Sequence, residues 1–242
     1  MNGPAAPVAS LLVYEGFLVL PVAVALLLWL LHRRARVRTR GGPSALSVGV
    51  GIFLWLWATG GVGLSGILGR FDLRPAPFGI LIFLTLLLSA YVGLSRVGAA
   101  LATLPLAWLV AMNAFRLPLE LLMHRAAVEG VMPKQMSYAG WNFDILTGVT
   151  AILLAPAIST GRVPRWLVGA WNALGAALLL NVVIVAIAST PMFRAFGKAP
   201  GKVNTFVAFF PYVWLPTVLV ATAMALHIVI FRALRARSRD AA

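Results

Sequence analysis

Residues 11–36 read LLVYEGFLVLPVAVALLLWLLHRRAR: an apolar run from Leu11 to Leu31 holding one acid, Glu15, closed by His32-Arg33-Arg34-Ala35-Arg36. A bilayer core about 30 Å thick is crossed by a helix of about 20 apolar residues, so this run is long enough to span one. Its polarity is informative too. The flank Met1–Ser10 has no basic residue, and the positive cluster follows the apolar run. A cleaved signal peptide has the opposite order. The run reads as a retained helix with its N-terminus outside and its arginines in the cytoplasm, where Lys and Arg accumulate.

The composition extends this reading to the whole chain. Of 242 residues 61% are hydrophobic and only 11% are charged, less than half the charged share of a soluble domain. A water-soluble globule could not cover itself with so little polar surface. Soluble enzyme, nucleic-acid binder and disordered chain are excluded together. The net charge of +14 is then the arginine bias of cytoplasmic flanks, and nucleic acid is not an expected partner. The chain has no cysteine, which removes disulfides, thiolate catalysis and Cys-ligated metal.

Six further apolar runs follow, at 45–68, 77–94, 97–120, 143–158, 166–189 and 206–231. The run at 143–158 is the weakest, at about 24 Å if helical. With 11–31 they predict an all-α polytopic membrane bundle of seven helices, forming one domain over 1–242. Seven spans leave twelve basic residues inside (Arg33, Arg34, Arg36, Arg38, Arg40, Arg96, Arg162, Arg165, Arg232, Arg235, Arg237, Arg239) and eight outside. Of the six acids only Asp240 is inside. The expected location is the plasma membrane, with the C-terminus cytoplasmic.

Ionisable groups in or beside spans are costly and are functional suspects by default. Here they gather toward the outer side. Glu15 lies one turn inside the first helix. Arg116 and Glu120 are four apart on one face of the fourth, and His124 continues that face. Asn142 and Asp144 open the fifth helix, where they also suit an N-cap and the helix dipole. The convergence predicts a polar pocket that binds or transports a small polar, anionic or amphipathic ligand, with Arg116 as anion contact and Glu120, Asp144, Asn142, Glu15 and His124 around it. An intramembrane enzyme using Glu120, Asp144 and His124, and a non-catalytic subunit of a membrane complex, are the other two readings. No catalytic residue is assigned. One imidazole with two carboxylates is too thin a set for a metal site, and no cofactor is expected.

His32 and His227 near the inner helix ends read as interfacial histidines, although two facing imidazoles would suit haem. Gly60-Gly61-Val62-Gly63 and Gly169-x-x-x-Ala173 read as close-packing faces. Asn172 and Asn181 are nine apart and lie on opposite sides of the sixth helix. Gly197-Lys198-Ala199-Pro200-Gly201-Lys202-Val203 lacks the spacing and the Ser/Thr of a phosphate loop. No lysine stands in 206–231 for a retinal Schiff base. The partners expected are the bilayer, a small-molecule or lipid ligand, and a membrane-protein partner or second copy.

Overall fold

The computed structural model describes residues 5–39 and 42–239. Arg40 and Asp240 lie outside the described residues, as does the side chain of Arg239. Among the described residues every regular element is helical, and six helical stretches are long and apolar enough to cross a membrane.

Helix α1 (Leu11–Arg36) starts where the Ser10 hydroxyl accepts the Val13 N–H. It ends in Arg33, Arg34 and Arg36, which face the negative end of the helix dipole. Helix α2 (Ala45–Leu64) is capped by Ser44 and stops short of the expected 68. Gly66 adopts the left-handed conformation (φ 72°), and Ile67–Gly69 becomes a 3-10 turn. Helix α3 (Pro77–Leu94) has the expected bounds, with Pro77 in its first turn.

The run expected at 97–120 is two pieces. Ser95 ends α3 in extended backbone, and its hydroxyl accepts the Val97 N–H to start α4 (Arg96–Ala102). Pro105 has no N–H to continue the helix and disfavours helical backbone at Leu104. The chain breaks there and restarts as α5 (Leu106–Met112). One 3-10 turn, Asn113–Phe115, leads into α6 (Arg116–Val128). The apolar stretch at this point is Leu106–Val128, so it begins later and runs eight residues further than expected.

Helix α7 (Ile145–Ser159) is apolar but short. Helix α8 (Arg165–Ala188) matches its expected span within a residue. The run expected from Phe206 begins only at Leu215, because Pro211 and Pro216 deny the ladder two N–H groups. Phe206–Ala208 is a 3-10 turn, and Leu215–Val220 winds as a wide π-helix that passes into α9 (Ala221–Arg239).

The bundle is built around α9. It packs on α3, α4, α5 and α8, and 67% of its apolar window is buried, against 11% for α2. The buried residues of α2 are Thr59, Gly60 and Gly63, all near its end. A Cβ on Gly60 or Gly63 would press on Trp214 or Val213, so these two glycines form the close-packing face expected of the run, while a Cβ on the exposed Gly61 would meet nothing within 4 Å. Trp214 Nε1 donates to the Leu56 carbonyl at 3.1 Å. At its start, α2 is held to α1, where Trp29 Nε1 donates to the Ala45 carbonyl at 2.8 Å.

Arginines finish several elements. Arg232 Nη1 donates to the Gly93 and Ser95 carbonyls at 2.6 and 3.0 Å, closing α3. Arg237 Nη2 donates to the Leu104 carbonyl at 2.6 Å, inside the break before Pro105. Groups expected only as a cytoplasmic charge flank thus satisfy backbone carbonyls that helix breaks leave open.

Candidate functional site

The Arg116 guanidinium is 1% exposed, at the start of α6. Its neighbour one turn along, Glu120, is the partner that helical spacing predicts. The structure gives it another: Arg116 Nη1 donates to Asp144 Oδ1 at 2.8 Å, across to the first residue before α7. The same oxygen accepts the Thr147 hydroxyl at 3.1 Å. The two chains approach closely because Gly148 faces the Arg116–Leu117 backbone, where a Cβ would collide.

Glu120 turns instead to Asn142. The Asn142 Nδ2 donates to Glu120 Oε1 and Oε2 at 2.8 and 2.9 Å and to the Met136 carbonyl at 3.0 Å. Asn142 Oδ1 accepts the Asp144 N–H at 3.0 Å. Asn142 therefore joins both carboxylate-bearing residues, and Glu120, Asn142 and Asp144 are all buried.

The other side of the guanidinium meets a residue that the sequence placed elsewhere. Arg116 Nη2 lies 3.0 Å from His227 Nε2 on α9. His227 Nδ1 lies 2.8 Å from Asn172 Oδ1 on α8, while Asn172 Nδ2 donates to the His227 carbonyl at 3.0 Å. The tautomer follows from these partners. Asn172 Oδ1 only accepts, so Nδ1 carries the hydrogen. The guanidinium only donates, so Nε2 is the lone pair. His227 is held as neutral imidazole. Gly175 makes room for it, since a Cβ there would come within 2.8 Å of His227 Cε1.

The result is one buried network, Glu120–Asn142–Asp144–Arg116–His227–Asn172, drawn from α6, the start of α7, α8 and α9. Two residues named with it from the sequence stand apart. Glu15 is exposed on α1. His124 is half-buried and stacks on Tyr138, ring centroids 4.5 Å apart. Asn172, Thr147 and His227 were missing from the sequence-derived set. Asn181, on the opposite face of α8, donates to the Trp141 carbonyl.

His32 and His227 do not face one another as a haem pair. Both nitrogens of His227 are occupied, and His32 Nε2 lies 3.4 Å from the Pro43 carbonyl. Among the described residues no group of three His, Cys, Asp or Glu side chains is placed to hold a metal.

At the exposed end of α6, Arg125 pairs with Glu129 at 2.6 Å. Glu129 also receives the Ser10 N–H and hydroxyl at 2.9 and 2.7 Å. The Ser10 bonds, aided by Arg125, hold its carboxyl below the usual range. Beyond the end of α2, Arg70 pairs with Asp72 at 2.8 Å, and its hydrogen bond holds the Asp72 carboxyl down at about 2.

Residues 76–235 match a protein family described as Domain of unknown function (DUF8737). The match covers α3 to α9 and the entire buried network. No curated protein and no solved structure matches the chain.

Proposed function

The chain belongs to the DUF8737 family, and we propose that its buried network binds a proton in the service of moving a small polar or anionic ligand. The protein is a plasma-membrane bundle of seven spans, α7 being the short one. Its N-terminus is outside and its arginine-rich end is cytoplasmic.

The observation that carries this reading is the charge balance of the network. Arg116 supplies one positive charge, and Glu120 and Asp144 supply two negative ones, all buried. With His227 neutral, the sum leaves one uncompensated negative charge. Such a charge is expensive away from water, and one proton removes it. Asp144 already takes donors from Arg116 and Thr147, whereas Glu120 has only the Asn142 amide. Glu120 is thus the proton site and Arg116 the contact for an anion that competes with Asp144. Chains of Asp, Glu and His inside a membrane bundle commonly mark ion and proton routes. The enzyme reading loses ground because His124 makes no hydrogen bond to either carboxylate among the described residues.

The test is proteoliposomes with a trapped pH indicator, challenged with gradients of chloride, phosphate, acetate or lactate. At least one anion should shift the internal pH, and Glu120→Gln should slow that shift by about a hundredfold or more, the scale of a lost proton-transfer group. Glu15→Gln should leave it unchanged. If no anion moves protons faster than in empty liposomes, the reading falls.

A further inference from the structure

We propose that the slot between α1, the first half of α2, α3 and the start of α9 binds a single-chain amphiphile with a hydroxyl head. This is independent of the proton reading. The slot holds about 300 Å³, at the small end of the range of ligand sites, ~300–1,000 Å³. It runs along the helices. Its walls extend from Ala25 to His32 on α1 and from Thr85 to Val92 on α3, two turns each, or about 10 Å of helix. Those dimensions suit one chain and not two. The slot lies beneath α2 between its tethers to the bundle, where Trp29 Nε1 donates to the Ala45 carbonyl and Trp55 Nε1 to the Thr217 carbonyl, both at 2.8 Å.

Two unpaired polar atoms stand on the walls, and His32 Nδ1 is the one that sets the head group of an occupant. His32 is 1% exposed and Thr85 2% exposed, and both line the slot. Yet His32 Nδ1 and Thr85 Oγ1 have no hydrogen-bond partner. Their neighbours differ. On the same walls the Ser89 hydroxyl donates to the Ala221 carbonyl at 2.6 Å, and that of Thr217 to the Val213 carbonyl at 2.7 Å. Buried polar atoms left unpaired cost free energy, so they are exceptions that call for a partner.

The chemistry of that partner follows from His32. Its Nε2 faces the Pro43 carbonyl, an acceptor, and so carries the hydrogen. Nδ1 of the neutral ring is then a lone pair, and what it lacks is a donor. A hydroxyl placed there donates to Nδ1, and its apolar chain fills the slot toward Thr85. Water alone is a poor occupant of walls this apolar.

The probe is 11-bromoundecan-1-ol, with 1-bromoundecane as its match lacking the hydroxyl, added to the detergent-solubilised full chain. Trp55 lines the slot, so bromine quenching is read as the difference between the wild type and Trp55→Phe. The alcohol should quench saturably and the alkane about tenfold more weakly, the size of one buried hydrogen bond. His32→Leu should bring the alcohol down to the level of the alkane. Gly51→Leu should abolish quenching by filling the slot; a Cβ at Gly51 meets no atom within 4 Å, so the fold admits it. Native mass spectrometry gives a second readout that does not depend on Trp55: one bound alcohol on the wild type and none on Gly51→Leu. Equal quenching by both probes, quenching or binding that survives in Gly51→Leu, or no saturable signal overturns the proposal.

Discussion

Arg116 passes over the acid on its own helix and bonds to one on the next, and this decides which substitutions interact. Removing one member of a buried ion pair typically costs about 3–5 kcal/mol, because the other is left charged and unpaired. Arg116→Ala and Asp144→Ala should each lower stability by that order in detergent, and the double variant should recover part of the loss. The coupling read from chemical unfolding should be large for Arg116 with Asp144 and smaller for Arg116 with Glu120; the reverse order would refute the geometry described. A second expectation concerns His227. Nitrogen NMR on histidine-labelled protein should show its hydrogen on Nδ1, with Nε2 bare, and Asn172→Leu should release the ring into a mixture of tautomers. Equal populations in the wild type would break the link through Asn172. The sequence made Arg116, Glu120, Asn142 and Asp144 visible because charged and amide side chains are so scarce in these runs. It did not reveal their pairing. Spacing of four sets which residues share a helix face, but a long guanidinium chooses between neighbours by tertiary distance. His227 was illegible for a related reason: nothing in α9 alone fixes its rotation toward α6.

Helix ends carry the next layer. Arg232 closes α3 by donating to two carbonyls, and charge-assisted bonds of this kind contribute about 1.5–3 kcal/mol. Arg232→Ala should therefore destabilise the fold by about 1–3 kcal/mol, with hydrogen exchange rising first at the α3–α4 junction. A solvated cytoplasmic charge would leave exchange there unchanged. At the opposite end Glu129 anchors Ser10 at the start of α1. Its carboxyl is held below the usual range, so its contribution is complete above the ordinary carboxylate pKa and is lost as pH falls through the folded-state value. Protection of the first α1 amides, corrected for intrinsic exchange, should drop between about pH 6 and about pH 3. Glu129→Gln should show the weak protection at both. The main apolar runs were legible as helices from length alone, α3 and α8 almost to the residue. The breaks were harder. Pro105, Pro211 and Pro216 fall inside runs expected to be continuous, yet the first starts a new helix and the other two delay one. A proline shows that a hydrogen bond is missing. Whether the helix bends, widens or restarts depends on what satisfies the freed carbonyls, and Arg237 at Leu104 is far away in sequence.

For the whole molecule, the composition and the long apolar runs pointed to an all-helical bundle, and six helical stretches are long and apolar enough to cross a membrane. The number of crossings rests on α7. Reporters fused to the two ends of the protein should appear on opposite sides of the membrane; the same side for both would mean that α7 does not cross. Its length matters beyond topology. Fifteen residues rise about 22 Å, some 8 Å less than the ~30 Å hydrocarbon core of a typical bilayer. If α7 crosses as proposed, the lipid beside it must thin, or the polar start of α7 must be drawn below the headgroups. Asp144, which holds Arg116, stands at that start. On that reading bilayer thickness would be a mechanical load on the ion pair: long-chain lipids would strain it, short-chain lipids would relax it, and a membrane's acyl length would set how firmly the pair is held.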